Sequence, residues 1–80
     1  MKKFIYFSAP WCGPCKTYGP IISQLQVPVE KINIDETKEL AMQFNVRSVP
    51  TTILVKDGVE VWKNVGITTL QTLQDAYDSK

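Results

Sequence analysis

The spacing of apolar residues changes several times along the chain, and each change predicts a new element. Residues 3–8 are aromatic and β-branched and are apolar on both faces, which predicts a central strand covered by helices on each side. Over residues 14–26 the apolar positions recur at three- and four-residue steps, which predicts a helix. Pro20 lies inside this helix and removes a backbone donor, so we expect a kink there.

A second strand and a second helix are predicted next. Residues 27–34 alternate loosely between apolar and polar and predict a strand. Asp35 is a good helix cap, and an apolar helical face continues from it to about Asn45. A strand, a helix and another strand in so short a space predict a right-handed crossover to a parallel neighbour.

The last part of the chain predicts a hairpin followed by a helix. Two strand-like runs, residues 51–56 and 59–65, flank Asp57-Gly58, a strong signal for a tight turn between antiparallel strands. Thr68, with Gln71 three residues later, resembles a capping box for the final helix. The buried stripe of this helix is predicted to consist of Leu70, Leu73 and Tyr77.

Taken together, the pattern predicts an α/β fold with the order β-α-β-α-β-β-α. We expect one mixed four-stranded sheet, with strand order 2-1-3-4 and helices on both faces. The chain has 80 residues, enough for a single domain spanning 1–80. The carboxyl end of the first strand is the usual ligand edge of such a sheet.

Charge and composition exclude several classes of function and location. Nine basic and eight acidic residues give a formal net charge of +1, and only Lys2-Lys3 are adjacent basic residues, so we expect no nucleic-acid partner and no membrane patch. No run approaches the ~18 apolar residues of a membrane span, and the apolar run after Met1-Lys2-Lys3 is too short for a secretion signal. These features predict a cytoplasmic protein, which we expect to be a monomer.

Both cysteines lie in Trp11-Cys12-Gly13-Pro14-Cys15, where the first strand gives way to the first helix. Zinc needs about four ligands, and the chain has no histidine and no third cysteine, so we expect no metal site. A structural disulfide closing so short a loop would contribute only about 2 kcal/mol. Thiol-disulfide exchange remains, because a helix amino terminus lowers the pKa of a cysteine there and makes it nucleophilic.

At this point the chain resembles the thioredoxin family over nearly its whole length. The segments that carry the resemblance are Trp11-Cys12-Gly13-Pro14-Cys15-Lys16, Pro20, Lys31-Ile32-Asn33-Ile34-Asp35, Val49-Pro50-Thr51, Asp57-Gly58 and Val65-Gly66. The resemblance implies a thioredoxin-like fold and a reductase of protein disulfides. It also implies that Cys12 is an exposed attacking thiol and that Cys15 is a sheltered resolving thiol.

The family also implies roles for the surroundings of the cysteines. Pro50 is expected to be cis and to face the pair, leaving the backbone of Val49 free to pair with an extended substrate. The expected substrate-facing rim is flat and mostly apolar, and it consists of Trp11, Gly13, Pro14, Val49, Val65 and Gly66.

The family pattern is broken at one buried position. In thioredoxins the residue matching Lys31 lies near a buried carboxylate, placed six residues before the first cysteine, that takes the proton of the resolving thiol. Here that position is Tyr6. A phenol with a reference pKa of about 10 cannot act as a carboxylate base at neutral pH. Water or another group must then assist Cys15, or the resolving step is slower.

Two alternatives to a thioredoxin-type reductase stay open. A glutaredoxin-like, glutathione-dependent reductase would match the short chain, but a tyrosine between the cysteines and an acidic residue after Gly66 are both missing. A non-catalytic binding subunit with the same fold is the other. On the leading hypothesis no cofactor is bound, and electrons come from NADPH through thioredoxin reductase to disulfide-containing protein substrates.

Overall fold

The first strand is buried on both faces, and the rest of the molecule is arranged around it. In the computed structural model, which describes residues 1–80, Phe4 to Phe7 are each no more than 4% exposed. Side chains of a strand alternate between the two faces, so consecutive buried residues require cover on both sides of the sheet. The apolar run therefore forms a central strand, as predicted.

Seven elements follow one another in the predicted order. They are β1 (Lys2–Ser8), α1 (Gly13–Ser23), β2 (Val29–Asn33), α2 (Lys38–Gln43), β3 (Thr51–Lys56), β4 (Val59–Val65) and α3 (Leu70–Ser79).

The sheet has the predicted order β2-β1-β3-β4. β2 runs parallel to β1, and the β1–β3 and β3–β4 pairs are antiparallel. β3 and β4 have the bounds that the sequence predicts, because the turn between them is chemically well defined. Asp57 and Gly58 both have positive φ, 54° and 82°, as a two-residue turn that matches the strand twist requires.

Two apolar layers cover the two faces of the sheet. One layer joins alternate β1 residues, Phe4 and Tyr6, to α1 and α3 through Tyr18, Ile22 and Leu73. The other layer joins the intervening β1 residues to α2. The members of that second buried cluster are Ile5, Phe7, Ile32, Ala41, Ile53 and Val55. α1 and α2 therefore lie on opposite faces, and β1 connects directly to α1.

The predicted cap of the second helix is wrong. α2 begins at Lys38, with Thr37 at the N-cap position. Asp35 does not cap, because it lies inside a turn: its N–H donates to Oδ1 of Asn33 at 2.9 Å, and the N–H of Thr37 donates to the carbonyl of Asn33 at 2.9 Å. The side chain of Asn33 thus stabilises the turn, and α2 begins only after this turn, at Lys38.

The first and last helices also differ from their predicted bounds. α1 ends at Ser23 rather than Gln26, since the N–H groups of Gln24 and Leu25 bond back three residues and tighten the last turn. α3 is capped by Thr69 rather than Thr68, because Oγ1 of Thr69 accepts the N–H of Thr72 at 3.1 Å. None of the three helices is long and apolar enough to cross a membrane.

Replacing Leu54 by alanine should destabilise the fold. Leu54 is fully buried at the centre of β3, so its truncation leaves a cavity, and we expect the free energy of unfolding to fall by about 2–5 kcal/mol. Val59→Ala on exposed β4 surface is the control and should change it by no more than about 0.5 kcal/mol. Urea unfolding followed by circular dichroism measures both, and equal losses would contradict this account of the core.

Candidate active site

The segments that the sequence predicts to be functional lie together at one edge of the sheet. β1 ends at this edge and leads into α1, and Phe7 pairs with Thr51 at the start of β3. Thr51 in turn pairs with Val65, where β4 ends. The segments before α1, before β3 and after β4 therefore meet beside the amino terminus of α1.

The two cysteines form a disulfide at the start of α1. Their Cα atoms are 5.3 Å apart, within the usual range for a disulfide. Cys12 occupies the N-cap position with extended backbone angles, and the N–H of Cys15 donates to its Sγ at 3.2 Å. In the reduced protein, the same N–H and the positive end of the helix dipole lie where they would stabilise a thiolate on Cys12.

The predicted difference in exposure between the two cysteines is wrong for this disulfide-bonded structure. Cys12 is 3% exposed and Cys15 is 8% exposed, so Cys12 is not the more accessible residue. The reason is local packing: both cysteines cluster with Ala9, against which Ile34 and Val49 also pack. The N–H of Cys12 also donates to the carbonyl of Ala9 at 3.1 Å and draws the loop inward.

Pro50 and its neighbours lie beside the cysteine cluster. The peptide bond between Val49 and Pro50 is cis, the isomer that the resemblance implies, and Pro50 is buried. Val49 is partly buried and packs against the cysteines. The carbonyl of Pro50 accepts the N–H of Gly66 at 2.8 Å, which ties the segment before β3 to the one after β4. Gly66 has a φ of +92°, a backbone conformation that suits glycine.

Exposed apolar side chains border this cluster. Trp11 is 66% exposed, Val65 is 61% exposed, and Gly13 and Pro14 at the start of α1 are exposed as well. Ile67, which the sequence analysis did not single out, is 47% exposed and directly follows Gly66. In the sequence, Ile67 directly follows Val65-Gly66, which the analysis assigns to the substrate-facing rim, and this adjacency could have identified Ile67 as a further rim residue.

Asp35 belongs to the site, although the sequence predicts it only as a helix cap. Its Oδ2 accepts a hydrogen bond from Nε1 of Trp11 at 3.0 Å. This bond connects the loop after β2 to the loop after β1 and orients the indole ring. The sequence places both residues just beyond the carboxyl ends of neighbouring parallel strands, which is the signal that could have paired them.

Lys31 is not brought into contact with the cysteines. It lies on β2 opposite Tyr6 in the strand register, is exposed, and makes no hydrogen bond or ion pair. Tyr6 itself is buried beneath α1, and its hydroxyl donates to the carbonyl of Cys15 at 3.2 Å. Burial raises the pKa of Tyr6 above its ordinary value, and the neighbouring Tyr18 raises it further.

The chain is similar to known thioredoxins in sequence and in architecture. The sequence model of the thioredoxin family matches residues 2–79. The chain is 40% identical to thioredoxin 1 of Synechococcus elongatus over 90% of its own length and 73% of that protein, and 39% identical to Bacillus subtilis thioredoxin over 86% and 72%. A mutant thioredoxin from Halobacterium salinarum is 36% identical and superposes with a TM-score of 0.88, over 98% of this chain and 73% of that one.

The fold and the helix-capping cysteine pair define a thiol-disulfide oxidoreductase that reduces protein disulfides. Such proteins act on disulfide-containing proteins, have reductase partners, and generally work without a bound cofactor. The chain belongs to the thioredoxin family. Neither the glutaredoxin-like alternative nor the non-catalytic subunit is favoured by these comparisons.

Removing the Asp35 carboxylate should free the Trp11 indole. In a Trp62→Phe background, which leaves Trp11 as the only tryptophan, Asp35→Ala should lower the fluorescence anisotropy of the oxidised protein. Loss of one hydrogen bond of about 1 kcal/mol lowers the ratio of the observed indole orientation to all others by about fivefold. Asp35→Asn keeps an acceptor oxygen and should retain most of the anisotropy.

Glu36→Ala is the matched control for that experiment. Glu36 is the exposed acidic neighbour of Asp35, and its side chain makes no hydrogen bond to Trp11. Its removal should leave the anisotropy unchanged. An equal decrease in Glu36→Ala would mean that charge in this loop, and not the hydrogen bond, orients the indole.

Proposed function

We propose that Cys12 is the attacking thiol of a thioredoxin-type electron carrier, supplied with electrons by NADPH through thioredoxin reductase. The observation that carries this proposal is the position of its Sγ, which accepts the Cys15 N–H at the N-cap of α1. A sulfur held there is best stabilised as an anion, and the thiolate is the form that attacks disulfides.

The first half of the reaction is attack on the substrate. The Cys12 thiolate forms a bond to one substrate sulfur, the substrate S–S bond breaks, and the other substrate sulfur leaves with the electron pair. The proton of Cys12 has already been lost in the thiolate, so this half of the reaction needs no general base.

The second half is resolution by Cys15. Its sulfur attacks Cys12 in the mixed disulfide, forms the Cys12–Cys15 bond seen in the structure, and releases the second substrate sulfur with its electron pair. Cys15 lies one helical turn from Cys12, so little motion separates the mixed disulfide from the closed ring.

The rim supports binding of an extended polypeptide. Trp11 and Val65 offer apolar contact on either side of the cysteines, and Gly13 and Pro14 leave the space above α1 free of long side chains. We assign Val49, Pro50 and Gly66 to the same substrate surface, because Val49 packs against the cysteine cluster and the Pro50 carbonyl accepts the Gly66 N–H. We assign Lys31 only a supporting electrostatic role, since its side chain is exposed and it pairs in the strand register with Tyr6, whose hydroxyl bonds to Cys15.

The proposal carries three further expectations. The protein acts as a monomer, because the apolar rim is needed for substrates. It works in a reducing compartment such as the cytoplasm, where the oxidised pair can be reduced again after each turnover. No metal takes part, since a chain with only two cysteines and no histidine lacks a zinc ligand set.

An insulin-reduction assay tests the electron donor. With NADPH and thioredoxin reductase we expect continuous turnover, and with NADPH, glutathione and glutathione reductase we expect little. Cys12→Ser should lower the rate to background, because the remaining thiol has no N-cap position. Turnover only in the glutathione arm would contradict the proposed donor, and activity retained by Cys12→Ser would contradict the assignment of the attacking thiol.

A pair of valines on one strand tests the substrate surface. Val65→Ser should raise KM for a protein disulfide by about three- to tenfold, the effect of losing one apolar contact, and leave kcat nearly unchanged. Val59→Ser is the control, because Val59 lies at the other end of β4 and is equally exposed, 62% against 61%. Equal KM values for the two variants would remove Val65 from the binding surface.

A further inference from the structure

Three hydroxyl groups are buried in the core layer beneath α1, where apolar side chains would be expected. Tyr6 is 3% exposed, and Tyr18 and Thr52 are fully buried. The two tyrosine rings meet edge to face with their centroids 5.7 Å apart, and Thr52 pairs with Tyr6 in the strand register. A buried hydroxyl costs free energy unless it is hydrogen-bonded, so the partners of these groups are informative.

Only one of the three hydroxyls contacts the active-site segment. Oγ1 of Thr52 donates to the hydroxyl of Tyr18 at 3.2 Å, and neither group touches a cysteine. The hydroxyl of Tyr6 donates to the carbonyl of Cys15 at 3.2 Å. Tyr6 lies on β1, which is buried on both faces and pairs with β2 and β3, so this bond connects the backbone of Cys15 to a central strand of the sheet.

We infer that Tyr6 is a positioning residue for the resolving step. Its hydroxyl holds the backbone of Cys15 where the Cys15 sulfur can reach Cys12, and it does not take the proton of the Cys15 thiol. The inference rests on the proposed dithiol mechanism and adds a residue to it. A sulfur that must attack another sulfur in line reacts more slowly when its backbone is free to shift, because fewer of its conformations are reactive.

The groups around Tyr6 make it a donor and not a base. Within the buried cluster that contains Tyr6, the other titratable side chains are those of Tyr18 on α1 and Tyr77 on α3, and the partners of Tyr6 in the strand register are Lys31 and Thr52. Apart from Cys15 itself, the remaining titratable side chains of the surrounding elements are exposed: Lys16, Glu30, Lys56, Asp75 and Asp78. All eight aspartate and glutamate residues of the chain are exposed. Since burial raises the pKa of Tyr6, its hydroxyl stays protonated throughout the pH range in which thiols ionise.

The proton of Cys15 must then leave by another route. In the resolving step the Cys15 S–H bond breaks, the Cys12–Cys15 bond forms, and the bond between Cys12 and the substrate sulfur breaks. The electron pair leaves on the substrate sulfur, and the proton goes to water or to that departing thiolate. Solvent reaches the site from the open side, where Trp11 and Val65 are exposed, since the core layer beneath α1 is buried.

Ellman's reagent separates the two steps in a single turnover of the reduced protein. Attack by one thiol releases a first coloured thiolate, and resolution by the second thiol releases another. In Tyr6→Phe we expect the second release to slow by about three- to tenfold, the factor for one neutral hydrogen bond, with the first release unchanged. The pH midpoint of the second release should be the same as in the unsubstituted protein.

Tyr18→Phe is the matched control. It also removes one hydroxyl from a buried ring of the same core layer, with the hydrogen bonds of that hydroxyl to Thr52 and to the Thr68 backbone, so it should cost at least as much stability, but it leaves the Tyr6–Cys15 bond in place. Both releases should keep their rates in this variant. Tyr6→Asp adds a carboxylate beneath Cys15 and, where it folds, should add a second ionisation to the pH profile of resolution.

Three results would overturn the inference. They are an unchanged second release in Tyr6→Phe, an equal slowing in Tyr18→Phe, and a shifted pH midpoint in Tyr6→Phe, which would make Tyr6 a participant in proton transfer. Failure of the proposed mechanism looks different, since the unsubstituted protein would then release only one thiolate. Two releases without insulin turnover would contradict only the proposed electron donor.

Discussion

Burial of β1 on both faces is the constraint on which the rest of the structure depends. Four consecutive apolar residues in a strand need cover above and below, and a chain of 80 residues can supply it only by placing α1 and α3 on one face and α2 on the other. This arrangement makes the connection from β1 to α1 short and fixed. The active-site loop is therefore held between a buried strand and the helix it starts, and the cysteine at its end lies at the amino terminus of α1.

The site places a position that favours a negatively charged sulfur beside an exposed apolar surface. At the N-cap, a backbone donor and the helix dipole favour negative charge on Cys12. Around it, Trp11, Val65 and Ile67 present apolar surface that favours contact with a polypeptide. The proposed function therefore assigns substrate binding and thiol activation to different residues, which can be varied separately.

Periodicity and turn chemistry predict the strands, the sheet order and the hairpin, because each depends on a local pattern repeated over several residues. Asp57-Gly58 is the clearest case, since two positive φ values suit that dipeptide. Helix starts were less predictable. Asp35 is a plausible cap in sequence, and only the turn that it forms with Asn33 shows that it does not begin α2. The cysteine motif and its family resemblance identify the reactive pair, but the burial of Cys12 depends on packing from Ile34 and Val49, which lie far away in sequence.

The position of Tyr6 illustrates how a small core limits the chemistry beneath a site. A single hydrophobic core of this size supplies only about 3–5 kcal/mol of stability, and a buried, unpaired carboxylate can cost as much or more. Lys31, the nearest strand cation in register, is exposed and forms no ion pair, so it does not offset such a charge. A phenol avoids this cost, because its apolar ring packs against Tyr18 and its one polar atom is satisfied by the carbonyl of Cys15. On the inference above, the hydrogen bond from the Tyr6 hydroxyl to the Cys15 carbonyl therefore has two effects: it satisfies a buried polar atom of the core, and it positions the resolving cysteine.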